Sequence, residues 1–134
     1  MINKENRFDE YCYRCAQLPL DESVERIEEG SFITIKNGKV VPANKESVKA
    51  FICIGSKREG RDQVAGKMFQ KISFLVGDFM LSITNFDTGA SYSEDMTPLS
   101  VNENGILTVA SEDDKVVAYS IGAPVNGVLR IVSA

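Results

Sequence analysis

Residues 31–42, Ser31-Phe32-Ile33-Thr34-Ile35-Lys36-Asn37-Gly38-Lys39-Val40-Val41-Pro42, decide the fold class. A β-branched and aromatic run meets Asn-Gly, the strongest two-residue hairpin signal, and runs back until proline removes the next ladder donor. The same grammar repeats to the end of the chain. Residues 48–54 are apolar at nearly every position, which predicts a strand buried on both faces, closed by Gly55. Residues 71–76 and 79–84 read as strands joined by Gly77-Asp78. Residues 99–101 and 106–110 flank Asn104-Gly105, and residues 116–121 and 128–132 flank a glycine-bounded turn around Pro124. Polar, glycine-punctuated stretches at 57–66 and 85–96 read as loops.

Turn signals therefore recur at intervals of about ten residues. The expectation is a mainly β fold: a compact antiparallel β-barrel or sandwich of about eight short strands. The spacing leaves no room for crossover helices and a parallel sheet. The first residues differ. Residues 7–18 can be written as a short helix with Phe8, Tyr11, Cys12 and Cys15 on one face, and residues 21–29 as a further helical turn stopped by Gly30. The predicted organisation is an N-terminal arm with short helical content over residues 1–26, then a β-domain over 27–134. A flap over the domain's end is the alternative to a docking arm.

Composition narrows the chemistry. The chain has 134 residues, 43% hydrophobic and 25% charged, so it matches one ordinary globular domain able to bury a core without staples. It contains no histidine and no tryptophan. Histidine is the commonest general acid/base, partner of nucleophiles and zinc ligand, so most hydrolase and metalloenzyme designs lack a member. No run approaches the ~18 apolar residues of a membrane span, and residues 1–20 carry charges throughout instead of a secretion signal. Three cysteines, an odd number, suit a reducing compartment.

Cys12-Tyr13-Arg14-Cys15 is a C-x-x-C. A redox role asks for a βαβ context and zinc for two further ligands, where only Cys53 offers one; two small apolar residues on one face is the plainer reading. The carboxylate pairs at Glu28-Glu29, Glu94-Asp95 and Glu112-Asp113-Asp114 sit in turns where water solvates both members, and a calcium loop's ligand spacing is missing. No phosphate-cradling glycine loop occurs. No catalytic, cofactor or metal residue is expected.

The net charge of −4 conceals segregation. Residues 1–30 hold four basic and eight acidic side chains, residues 31–75 nine and three, and residues 76–134 two and eight. A basic middle between acidic flanks suits head-to-tail or scaffold docking, unless the signs interleave in space. The densest basic group, Lys57, Arg58, Arg61, Lys67 and Lys71, is diluted by Glu59 and Asp62, and nucleic-acid binding asks for a stronger positive footprint.

The order of elements from about residue 27 resembles the small β-domains that decorate the heads of tailed bacteriophages. The resemblance lies in Ile27-Glu28-Glu29-Gly30, Asn37-Gly38 with Val40-Val41-Pro42-Ala43, residues 51–55, Val76-Gly77-Asp78-Phe79, Asn104-Gly105-Ile106-Leu107-Thr108, Tyr119-Ser120-Ile121-Gly122-Ala123 and residues 127–132. It implies a non-enzymatic capsid cement protein on the exterior of the expanded shell, made in the host cytoplasm and commonly a homotrimer, with the major capsid protein as partner. It also implies attachment through the N-terminal arm, here Phe8, Tyr11, Tyr13, Leu18 and Leu20; by their charge, Lys57, Arg58, Arg61 and Lys67 are expected to face an acidic neighbour or an acidic capsid surface. The arm departs from the family pattern in being acidic and cysteine-bearing. The alternatives are another virion component (head fibre base, tail or adaptor protein) and a small ligand-binding β-barrel, which a deep pocket lined by polar groups would favour.

Overall fold

The computed structural model describes residues 2–4, 14–47, 49–54, 71–93 and 95–134. Among the described residues eleven strands run in chain order: β1 (Ile2–Lys4), β2 (Cys15–Pro19), β3 (Phe32–Lys36), β4 (Lys39–Pro42), β5 (Phe51–Ile52), β6 (Lys71–Leu75), β7 (Met80–Ile83), β8 (Pro98–Val101), β9 (Leu107–Val109), β10 (Ala118–Ser120) and β11 (Leu129–Ser133). They form three antiparallel sheets: a six-stranded one ordered β1-β7-β11-β10-β8-β9, the pair β2-β6, and the three-stranded β4-β3-β5. The protein is mainly β, with no helix among the described residues and no closed barrel.

The hairpins form where turn chemistry dictates. Asn37 and Gly38 both take positive φ, 53° and 75°, the geometry whose twist matches the flanking strands, and Lys36 pairs with Lys39 across them. A second turn of the same kind closes the tip beyond β10 and β11. Asn126 and Gly127 have φ of 52° and 75°, and Val125 and Val128 exchange two backbone hydrogen bonds of 2.9 and 3.0 Å. In the β8–β9 loop the Asn102 carboxamide oxygen accepts from the backbone N–H groups of Asn104 and Ile106.

Two cores share a wall. The larger lies inside the six-stranded sheet and gathers Leu81, Ile83, Leu99, Val101, Leu107, Leu129 and Ile131 with Phe32 and Ile52 from the three-stranded sheet. The smaller contains Leu20, Ile27, Ile33, Val40, Cys53, Ile72 and Phe74. Successive strand side chains point to opposite faces, so Phe32 enters one core and Ile33 the other, as do Ile52 and Cys53. This is the two-sided burial expected for residues 48–54, although the paired segment is only Phe51–Ile52, extended by a bridge from Cys53 to Phe74. A second bridge, Leu20 to Val40, ties the two small sheets together around their core.

Two expectations need correction. Residues 15–18, written as the end of a helix, are strand: Ala16 and Leu18 turn inward while Cys15 and Gln17 are exposed, the period-two pattern, and all five residues of β2 pair with β6. Residues 21–29 are not helical either. The Asp21 carboxylate accepts from the Ser23 N–H at 2.9 Å and its hydroxyl at 2.7 Å, a local turn that competes with helix, and Ile27 is then drawn into the smaller core. Residues 5–13, including the rest of the proposed helix, lie outside the described residues. The strands expected either side of Gly77-Asp78 are present and lie in different sheets; β6 joins β2 while β7 lies between β1 and β11. Gly77, at φ 120°, turns the chain from one sheet to the other.

Gly105 ties the six-stranded sheet to the three-stranded one. Its carbonyl accepts from the Phe32 N–H at 2.8 Å, and a Cβ there would lie 2.2 Å from the Phe32 carbonyl oxygen. Gly38 shares the positive φ but faces open space. Gly38→Ala is expected to cost about 1 kcal/mol, the left-handed penalty alone, and Gly105→Ala about 3 kcal/mol or more. Urea unfolding of both variants checks the ordering; equal losses would show that the close approach does not matter.

Candidate functional site

Of the residues expected to dock a partner, Phe8, Tyr11, Tyr13, Lys57, Arg58, Arg61 and Lys67 lie outside the described residues. The structure brings Leu18 and Leu20 together, but towards the interior: Leu18 is half-buried against the smaller core and Leu20 is only 6% exposed within it. Cys12 also lies outside the described residues, Cys15 is exposed and Cys53 is buried. Among the described residues no three Cys, His, Asp or Glu side chains gather as a metal cage would require. Glu28 pairs with Arg26 at 2.6 Å in solvent, and Asp114 accepts from the Ser111 N–H at 2.8 Å, so these acidic turns are tied up locally.

The surface that stands out is the outer face of the six-stranded sheet. Strand register places Met80 opposite Val132, Val132 opposite Tyr119, and Tyr119 opposite Pro98. Residues opposite one another share a face, so these four side chains form a row across β7, β11, β10 and β8, about 14 Å long at the usual strand spacing. Met80 and Pro98 are exposed, and Val132 and Tyr119 are half-buried. In the adjacent row Arg130 is opposite Ser82, and the Ile121 N–H donates to the Arg130 carbonyl. The Ser120 N–H donates to the Thr97 carbonyl and the Thr97 N–H to Ser120 Oγ, so the β8–β10 register, continued one residue, puts Met96, 57% exposed, opposite Ile121. Thus the outward row is apolar, with Met80, Met96 and Pro98 exposed, Val132, Tyr119 and Ile121 half-buried, and Arg130 exposed beside it.

Sequence reasoning missed this face. Its signal was present: residues 79–83, 116–121 and 128–132 are apolar at both parities, whereas a sheet packed on one side needs only alternate apolar positions. The excess reads as core until the pairing shows which half of it points out.

The described residues between β7 and β8 are tied down by their own hydrogen bonds. Phe86 bridges to Leu107, and the Asp87 carboxylate accepts from the Gly89 N–H and the Thr108 hydroxyl, both at 2.9 Å. The Tyr92 hydroxyl donates to the Asp87 carbonyl at 2.7 Å while its ring packs edge-on against Phe86. Burial, with a smaller contribution from the Asp87 charge, pushes the Tyr92 phenol up to about 12. The hydroxyls of Ser93 and Thr97 lie 2.9 Å apart, and the Thr97 N–H donates to Ser120 Oγ. Met96 is therefore held by a pinned loop. Close by, Ser100 Oγ on β8 is buried without a hydrogen-bond partner among the described residues.

Charge segregation is partly cancelled and partly kept. The acidic stretch after β2 lies on the basic hairpin: Glu22 pairs with Lys39 at 3.3 Å, and Asp21, held below the usual carboxylate range chiefly by its Ser23 hydrogen bonds, also feels Lys39 and Lys36. Residues 76–134, which build the large sheet from β7 onward, keep two basic against eight acidic side chains. A single described ion pair, Lys45 with Asp114 at 4.0 Å, links them to the basic part.

Two cavities are described. An open groove of about 440 Å³ runs along β3 and β4, lined by Ile35, Lys36, Pro42 and Glu46 among others, and a smaller recess of about 180 Å³ lies between Arg26, Phe32 and Asn104. Neither contains Asp21 or Tyr92, the two groups with shifted acidity. Comparison of the chain with family models, curated proteins and solved structures found no match.

Two substitutions test the pinned loop with opposite signs. Tyr92→Phe is expected to cost about 1 kcal/mol, one net hydrogen bond, while Ser100→Ala is expected to be neutral or stabilising because it deletes an unsatisfied hydroxyl. Thermal unfolding reads both. The Tyr92 phenol has a raised pKa when folded, so its neutral form is the one folding favours. That contribution is whole below pH 10 and is lost as pH rises towards 12. Absorbance titration is expected to show one phenolate appearing near pH 12 that Tyr92→Phe removes.

Proposed function

We propose that this chain is a structural virion protein that binds the outer surface of an expanded bacteriophage capsid between capsomers and stiffens the shell, without catalysing a reaction. The observation that carries the reading is the outward apolar row Met80, Val132, Tyr119 and Pro98. Protein contact is the ordinary use of a contiguous apolar patch rimmed by polar groups. The sequence resemblance to head decoration domains supplies the kind of partner, the major capsid protein.

A small subunit present in many copies needs little affinity per contact if it acts as a homotrimer. Once one subunit is seated, the others bind at high effective concentration. On this reading the N-terminal segment and the basic residues 57–67 provide secondary contacts to the shell, and the sheet face provides the principal one.

Co-sedimentation with heads of the parent virus tests the proposal. The chain is expected to pellet with expanded and not with unexpanded heads. The double variant Met80→Lys, Met96→Lys is expected to bind at least about tenfold more weakly, some 1.4 kcal/mol, with unchanged thermal unfolding. Binding to neither form overturns the proposal; labelling confined to the tail or portal replaces it with another virion role.

A further inference from the structure

The chain contains three Asn-Gly steps, at 37–38, 104–105 and 126–127, and the fold treats them differently. Cyclisation of asparagine onto its successor needs three things. The following N–H must be free to lose its proton to hydroxide, the asparagine carboxamide must be reachable by water, and the peptide must rotate until the nitrogen meets the side-chain carbonyl carbon. Glycine, lacking Cβ, offers least hindrance to that rotation.

At 126–127 all three conditions are met. Asn126 and Gly127 are exposed, a Cβ on Gly127 would meet nothing within 4 Å, and the Gly127 N–H has no hydrogen-bond partner among the described residues. The turn is held by the isolated Val125–Val128 bridge, outside the β10–β11 ladder. At 37–38 exposure and space are the same, but the turn sits directly on the four-pair β3–β4 ladder. At 104–105 the reverse holds. The Gly105 N–H donates to the Asn102 carbonyl at 3.1 Å, its carbonyl accepts from Phe32, and the Asn104 N–H donates to Asn102 Oδ1 at 2.8 Å. Gly105 is buried against the Phe32 backbone, so rotating this peptide would break the junction of the six-stranded and three-stranded sheets.

We infer that Asn126, and more slowly Asn37, are self-modification sites of the folded protein, whereas Asn104 is locked against the same reaction. The glycine nitrogen, its proton taken by hydroxide, attacks the asparagine Cγ; the new N–Cγ bond forms as Cγ–Nδ2 breaks and ammonia leaves. Water then opens the cyclic imide at either carbonyl, giving aspartate or isoaspartate. Each event takes the net charge of −4 one unit further negative. The isoaspartyl product also inserts an extra backbone carbon into a two-residue turn. At 126 that change falls beside Val125, at 67% exposure the most exposed large apolar side chain described, so it alters the charge and shape of one end of the molecule with age.

The test is peptide mass mapping of the full chain after incubation at mildly alkaline pH, folded and in concentrated urea. In urea the three sites are expected to convert at comparable rates. In the folded protein Asn126 is expected to lead, with Asn37 behind it and Asn104 at least about tenfold slower than Asn126, since its reaction waits on a larger opening. Asn126→Gln, which lengthens the side chain and disfavours the ring, is expected to remove the first acidic band on isoelectric focusing. Conversion of Asn104 as fast as Asn126 in the folded chain overturns the inference. So does an Asn126 that stays intact when folded while the chain in urea converts. Neither outcome bears on shell binding.

Discussion

Everything in this structure hangs on a wall one strand thick. Phe32 and Ile33, adjacent in β3, are buried on opposite sides of it, and Ile52 and Cys53 repeat the arrangement next door. Burying a large apolar side chain fully is worth roughly 1.5–3 kcal/mol, so a strand that does so on both faces concentrates stabilisation that a half-exposed strand spreads over twice its length. The three-stranded sheet can therefore be small. It closes the larger core from one side and the smaller from the other, and neither core would be dry without it.

The wall also explains why a glycine stands at 105. The β8–β9 loop must approach the β3 backbone closely enough for Phe32 to donate to the Gly105 carbonyl, and this contact ties the large sheet to the small one by main chain as well as side chain. A buried backbone N–H at the start of a strand needs a partner, and here it finds one in the other half of the molecule. Single bridges elsewhere, Leu20 to Val40, Cys53 to Phe74 and Phe86 to Leu107, do the same between segments that never build a full ladder.

How far the fold was legible in the sequence depended on the range of the interaction. Asn37-Gly38 and the turn around Asn104-Gly105 are local chemistry, and the strands beside them pair as expected. The uniform apolarity of residues 51–53 announced burial on two faces. Residues 15–18 went astray because Phe8, Tyr11, Cys12 and Cys15 fit a helical face, while the strand reading depends on β6, more than fifty residues away. Nor does anything around Gly77-Asp78 say that the chain leaves one sheet for another. The candidate docking residues suffered similarly. Aromatic and basic side chains in polar stretches attract attention, whereas Met80, Pro98, Tyr119 and Val132 are hidden in runs that read as interior until register separates the faces.

That outer face raises a question of self-restraint, because an apolar sheet surface invites copies of itself. Residues 76–134 carry two basic and eight acidic side chains, so stacking two copies face to face would oppose surplus negative charge with surplus negative charge. At an ionic strength of 0.15 M that repulsion reaches about 8 Å, enough to act across a forming interface but not to reject a partner of opposite sign. Under the proposed function the arrangement separates two jobs. The apolar row supplies attachment to whatever seats upon it, and the net negative charge of the part of the chain that builds the sheet disfavours the wrong occupant, a second identical face. A basic surrounding on the partner would turn the same field from a barrier into guidance, which is how charge contributes selectivity where area alone contributes only affinity.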